Sequence, residues 1–181
     1  MLNHNPSSER GPEPSADWGE PRERTVRWYD PMVGAGAGRS MAGLDYLRSM
    51  LAGELPPPPI AATLGFSLCS VDRGEAVFIG TPDESVYNPI GVVHGGLVCT
   101  LLDSALGCAV HTTLAAGVGY TSIELKVNYL RPVTATSGEL TAHGWVTKPG
   151  RRVAFADGDV RDRNGTVLAT ASETPAVAQP T

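Results

Sequence analysis

The chain has 181 residues and a formal net charge of −5, which leaves room for one domain of ordinary size and disfavours a phosphate-backbone binder, so no nucleic acid partner is expected. Its 21 glycines and 15 prolines make up about a fifth of the residues, against a usual share of roughly 12%, which excludes a chain built mainly of long helices. Cys69, Cys99 and Cys108 are an odd number and none lies in a CxxC pair, so a disulfide scaffold and a structural zinc site both lack support. The first thirty residues contain no apolar run of the secretory kind, and a cytoplasmic protein is expected.

Residues 1–40 are rich in Pro, Ser, Glu and Gly and bury too little apolar surface to offset their ordering entropy, so a disordered or loosely docked tail is expected there. Trp18, Trp28 and Tyr29 are the residues in it able to dock on a folded body. A short helix is predicted within 41–55, with Ser40 as N-cap, Leu44, Leu47 and Leu51 at helical spacing, and the run Pro56–Pro59 as its stop. From residue 60 to 176 the pattern is that of one domain. Strands are predicted over 61–71 and 75–81 across an Asp72-Arg73-Gly74 turn, then over 121–129, 138–147, 153–162 and 166–174, with Pro149-Gly150 and Asn164-Gly165 as hairpin turns. Between the second and third of these strands, His94 to His111 reads as one long helix with a wide apolar stripe. A central Asp103 and three glycines disfavour its insertion into a bilayer by roughly 3 kcal/mol, so no membrane partner is expected.

Two strands, one long buried helix and four more strands make an α+β fold in which a curved antiparallel sheet of about six strands wraps a central helix, the arrangement known as the hot-dog fold. Asp103 is the one formally charged side chain between Gly91 and Ser122. Gly96, Thr100, Gly107 and His111 share its face and are small or polar, so this face lines a groove or a subunit contact. Asp103 is either a structural residue bonded to a nearby hydroxyl or amide, or a working carboxylate. Gly95-Gly96 at the helix start fits a tight loop junction. It equally fits a place where another atom approaches free backbone N–H groups that stabilise developing negative charge. His94 is either a capping residue or a proton-transfer group, and His111 and His143 read as structural or exposed. No His pairs with a second ligand at metal spacing, so no metal is expected.

Asn88-Pro-Ile-Gly-Val-Val-His94-Gly95-Gly96, with Asp103 nine positions after the histidine and Ser122-Ile-Glu-Leu-Lys-Val-Asn-Tyr-Leu-Arg-Pro132 beyond, resembles the hot-dog thioesterases of the phenylacetyl-CoA thioesterase (PaaI-like) type, within the 4-hydroxybenzoyl-CoA thioesterase superfamily. The resemblance implies hydrolysis of an acyl-CoA thioester. Asp103 matches the family's catalytic carboxylate, as general base or nucleophile, and Gly95 the residue whose N–H polarises the carbonyl. Asn88 and His94 match the residues that orient that loop, and Ser122 a supporting hydroxyl. Simple alternation, however, gives Thr121 and not Ser122 the parity to face the helix. No cofactor is implied, since CoA enters as part of the substrate, and Lys148, Arg151 and Arg152 form a basic cluster suited to its phosphates. A non-catalytic acyl-CoA-binding module and a hydratase or dehydratase on the same fold are the competing readings. Gly95 and Asp103 stand eight residues apart, about 12 Å along a helix, too far for one chain to bring both to a single carbonyl. A two-fold homodimer is therefore expected, and the resemblance admits a dimer of such dimers.

Overall fold

A computed structural model describes residues 15–178. Four α-helices and six strands follow one another in the described residues: α1 Pro31–Gly38, α2 Gly43–Leu51, α3 Pro59–Leu64, β1 Phe66–Asp72, β2 Glu75–Gly80, α4 Gly95–His111, β3 Gly119–Tyr129, β4 Leu140–Lys148, β5 Phe155–Arg161 and β6 Val167–Ala178. The strands form a single antiparallel sheet in the order β1-β2-β4-β5-β6-β3.

α4 is the centre of the molecule. Its stripe of Leu97, Val98, Leu101, Leu102, Ala105, Leu106, Ala109 and Val110 is buried as the 3.6-residue pattern predicts. Each of the larger aliphatic side chains contributes roughly 1.5–3 kcal/mol by leaving water. The helix touches all six strands. A flat sheet of six strands spans about 24 Å, far more than the ~10 Å width of a helix, so the sheet must curl around it. Two glycines permit the close contact at the middle. Gly144 of β4 and Gly158 of β5 are cross-strand partners. A Cβ on Gly144 would sit 2.5 Å from the Ala105 carbonyl, and one on Gly158 would sit 2.5 Å from the Leu106 Cδ1. The helix end is tied to the β1–β2 turn through Thr112, whose hydroxyl accepts from the Gly74 N–H at 2.6 Å and donates to the Ala109 carbonyl at 2.6 Å.

The strands and turns of the domain lie close to their predicted places, including the two-residue Arg73-Gly74 connection between Asp72 and Glu75. Three differences have physical causes. Residues 59–64 are helix α3 and not the start of a strand: Pro59 occupies the first turn, where its missing N–H costs nothing, and Gly65 closes the helix at φ +71°. α2 stops at Leu51, before the proline run, and its N-cap is Ala42; Ser40 instead donates to the Ala37 carbonyl at the end of α1. Residues 31–38 form helix α1, which Asp30 caps by accepting from the Met32 N–H at 2.8 Å and Pro31 begins. A Cβ on Gly34 or Gly38 would stand 3.3 Å from Tyr46, so α1 lies directly on that ring. Arg22 pairs with Glu84, and Arg24 donates to Ser85 Oγ and to the Thr63 carbonyl. Trp18, Trp28 and Tyr29 are 67%, 62% and 70% exposed, so the arginines and not the aromatic rings make these contacts. The rest of the expected tail, residues 1–14, lies outside the described residues.

Replacing Gly144 by alanine should lower the unfolding free energy by about 1–3 kcal/mol, because the atom in the way is backbone and cannot rotate aside. Urea unfolding followed by tryptophan fluorescence checks this, and an unchanged midpoint would contradict the contact.

Candidate active site

The loop before α4 is shaped by Asn88. Its Oδ1 accepts from the Ile90 N–H at 3.1 Å and the Val92 N–H at 3.2 Å, while Gly91 adopts φ +79° at the tip. The chain then passes between two neighbours, Val93 donating to the Val133 carbonyl and His94 to the Val86 carbonyl. His94 is the N-cap of α4: its Nδ1 accepts from the Gly96 N–H at 2.8 Å. That contact occupies Nδ1 and leaves Nε2 as the ring nitrogen open to other partners. The Gly95 N–H has no acceptor among the described residues, as expected of a first-turn donor. Tyr129 donates to the Gly95 carbonyl at 3.0 Å, and its ring lies 3.1 Å from where a Gly95 Cβ would be.

Asp103 stands two turns further on, exposed on the side of α4 away from the core. Ser122 donates to its Oδ1 at 3.2 Å. Ser122 reaches this position because β3 carries a bulge: the pairing with β6 runs Ser122 to Pro175, then Glu124 to Thr174, leaving Ile123 as the extra residue. The bulge reverses the parity upstream. Tyr120 and Ser122 therefore face the helix with Leu125 and Val127, whereas Ile123 is 63% exposed. Contacts from Gly95 to Tyr129, Asp103 to Ser122 and Gly107 to Tyr120 show that α4 runs antiparallel along β3.

The face shared with Asp103 is open only over its first turns. Gly96 and Thr100 line it, Thr100 donating back to the Gly96 carbonyl at 2.9 Å. Gly107 is covered by the Tyr120 ring, and His111 is held between Tyr46 and Tyr120 with ring centroids 5.5 and 5.4 Å away. Burial holds His111 below the usual imidazole range. The half-buried Cys108 thiol is pushed up to about 12, mainly by loss of solvent. Burial and then the Asp103 charge raise Cys99 as well, so neither residue supplies a thiolate near neutral pH.

Lys148, Arg151 and Arg152 lie exposed around the β4–β5 turn. Its backbone leans on the end of β6, Val177 donating to the Arg152 carbonyl and Ala154 to the Pro175 carbonyl. Since Pro175 pairs with Ser122, the basic turn sits at the Asp103 end of the site and not at the Gly95 end. A cavity of about 960 Å³ opens beyond Gly107, with Cys108, His111 and Tyr120 on one wall, Leu47, Leu68 and Phe78 on others, and Tyr29 and Val33 closing part of its rim. Among the described residues no three His, Cys, Asp or Glu side chains are grouped as a metal site would need, and no helix is long and apolar enough to cross a membrane.

One residue of the site was missed by the sequence reading. Glu173, on β6, is 2% exposed and its Oε1 accepts from Ser122 Oγ at 2.5 Å. The signal was present in the strand's alternation, because Glu173 has the parity of the buried Ala169, Ala171, Pro175 and Val177.

The family model described as "Thioesterase superfamily" matches residues 90–169. Human acyl-coenzyme A thioesterase 13 is 32% identical over 100 residues, 54% of this chain and 68% of that protein. The mouse protein of the same name is 34% identical over 84 residues, 45% of this chain and 56% of that protein, so the match spans little more than half of the latter's length. The solved structure of a phenylacetic acid degradation-related protein from Ralstonia eutropha JMP134 is 32% identical and covers 72% of this chain and 98% of its own, with a TM-score of 0.66.

The cap at the helix start has a consequence for stability. Removing it in His94→Ala should cost about 1 kcal/mol, and His94→Asn, which keeps a capping acceptor, should recover most of that. Equal losses in both variants, read by chemical denaturation, would mean that the Nδ1 contact does not hold the helix start.

Proposed function

The chain belongs to the thioesterase superfamily, and we propose that it hydrolyses an acyl-CoA thioester to the free acid and CoA. Asp103 is the carboxylate that activates water or attacks the carbonyl carbon, and the Gly95 N–H is the donor to the carbonyl oxygen. The observation that carries this reading is the pairing of an open carboxylate, supplied with a hydroxyl donor, with a free N–H at the start of the same helix. In the general-base form, Asp103 takes the proton of a water as its oxygen bonds to the acyl carbon. The carbonyl electrons move onto an oxygen held by the Gly95 N–H. The carbon–sulfur bond then breaks, and the departing CoA thiolate takes up the proton that Asp103 had accepted. His94 and Asn88 set the orientation of the N–H donor through the contacts they make within the loop.

The site is proposed to be shared between two chains. β3 is an eleven-residue strand at one end of the sheet, and pairing it with its copy about a two-fold axis would extend the sheet and lay two α4 helices side by side. Asp103 of one chain would then approach Gly95 of the other. The exposed Ile123 on this strand supports burial there. Lys148, Arg151 and Arg152 would hold the CoA phosphates, and the cavity beyond Tyr120 would take the acyl group.

Thiol release from a panel of acyl-CoAs of differing chain length and aromaticity tests the activity. Asp103→Asn keeps size and hydrogen bonding but not basicity, and should lower kcat by about 10²–10⁴. No release from any member of the panel would leave a binding module instead. The shared site is tested by unfolding Asp103→Asn and Gly95→Ala chains together and refolding them. Half of the randomly paired dimers are then mixed, each with one intact site, so about a quarter of wild-type activity should return. A mixture as inactive as its parents, with exchange verified, would confine each site to one chain.

A further inference from the structure

Glu173 stands where the strand pattern calls for an apolar side chain. Only Asp159 and Glu173 are buried carboxylates among the described residues. Asp159 is gripped by Arg161 through two contacts of 3.0 and 2.6 Å. Glu173 has no such partner. Its Oε1 meets Ser122 Oγ at 2.5 Å, and its Oε2 is buried without any hydrogen-bond partner. The groups that face it are Ser122 and Tyr120 from β3, and Asp103 and Cys108 from α4; its strand neighbours Leu125 and Ala156 carry no charge. None of the groups acting on it is cationic, and burial together with the Asp103 charge raises its carboxyl to about 7, against the lowering effect of the Ser122 hydroxyl.

Ser122 therefore stands between two carboxyls, 3.2 Å from Asp103 Oδ1 and 2.5 Å from Glu173 Oε1. A hydroxyl has one proton to donate. Both contacts are hydrogen bonds only when one carboxyl carries a proton of its own, and the buried one keeps it at lower cost.

We propose that Glu173 is a positioning residue for hydrolysis: as a neutral acid it donates to Ser122 Oγ, which turns the Ser122 proton onto Asp103 and holds that carboxylate aimed at the thioester. When Glu173 loses its proton, Ser122 turns to the buried carboxylate instead. Asp103 then loses its donor and gains a negative neighbour. This inference rests on Asp103 being the catalytic carboxylate.

The supporting form of Glu173 is present below pH 7 and is lost as the pH rises through about 7. Thiol-release kinetics of wild type, Glu173→Gln and Ser122→Ala on either side of that pH test the relay. Wild-type kcat should fall roughly tenfold or more as the carboxylate loses its alignment, with KM little changed. Glu173→Gln, whose amide donates to Ser122 at every pH, should keep wild-type turnover on the acid side and lose the alkaline fall. Ser122→Ala should be slow throughout and equally flat. Folding of Glu173→Gln is read separately by melting, where it should match wild type below the ordinary carboxylate range, gain on it as the pH rises to about 7 and keep that gain above. An alkaline fall that persists in Glu173→Gln overturns the relay while leaving Asp103 in its role. Loss of turnover in Glu173→Gln with turnover retained in Asp103→Asn overturns both.

Discussion

The contact on which the molecule depends is that of α4 with the bare backbone at Gly144 and Gly158. These two residues face each other across β4 and β5 directly under Ala105 and Leu106. With no side chain between them, helix and sheet approach closely enough for the strands to curl around one cylinder. The buried stripe of α4 then lies against the sheet. What remains for the opposite side of the helix is Gly96, Thr100 and Asp103, two glycine-and-hydroxyl turns ending in a carboxylate. The open face of the site is thus the geometric complement of the buried one.

The electrostatics of the site follow from where β3 and β6 cross this face. Ser122 and Glu173 are brought beneath Asp103 by the bulge at Ile123 and by the alternation of β6. Two carboxyls close together in a partly desolvated place do not ionise with equal ease. Burial keeps the proton on Glu173. The nearby thiols of Cys99 and Cys108 are both held protonated by their surroundings. In the proposed mechanism the working groups are a carboxylate and a helix-terminal N–H, which suits attack on an acyl carbon followed by departure of a sulfur leaving group.

Much of this was legible in the residues. The stripe from Leu97 to Val110 has a period only a helix satisfies, and Arg73-Gly74 and Asn164-Gly165 are turn dipeptides whose flanks alternate, so the order of elements could be read directly. Helix α3 could not, because Ile60-Ala-Ala-Thr-Leu64 is a short apolar run that fits either state and the prolines before it read as a stop and not a start. Helix α1 was hidden in a Gly-Ala segment of low apparent content, since it is held by packing on Tyr46, a residue outside it. Ser122 faces the helix only because Ile123 is bulged, and a bulge is a property of the pairing with β6, invisible to alternation along β3 alone. Glu173 was visible by parity, as a charge at an inward position, which is where a carboxyl with a displaced proton is to be sought.

In the proposed mechanism the thioester is held by the N-terminus of one central helix and attacked from the carboxylate of another. A crystal structure of the Asp103→Asn protein with an acyl-CoA bound tests it most directly. The carbonyl oxygen is expected within about 3 Å of the Gly95 nitrogen of one protomer, and the carboxamide introduced in place of the Asp103 carboxylate beside the carbonyl carbon from the other protomer. A thioester seated away from the Gly95 nitrogen, or flanked by both groups of a single chain, would contradict it.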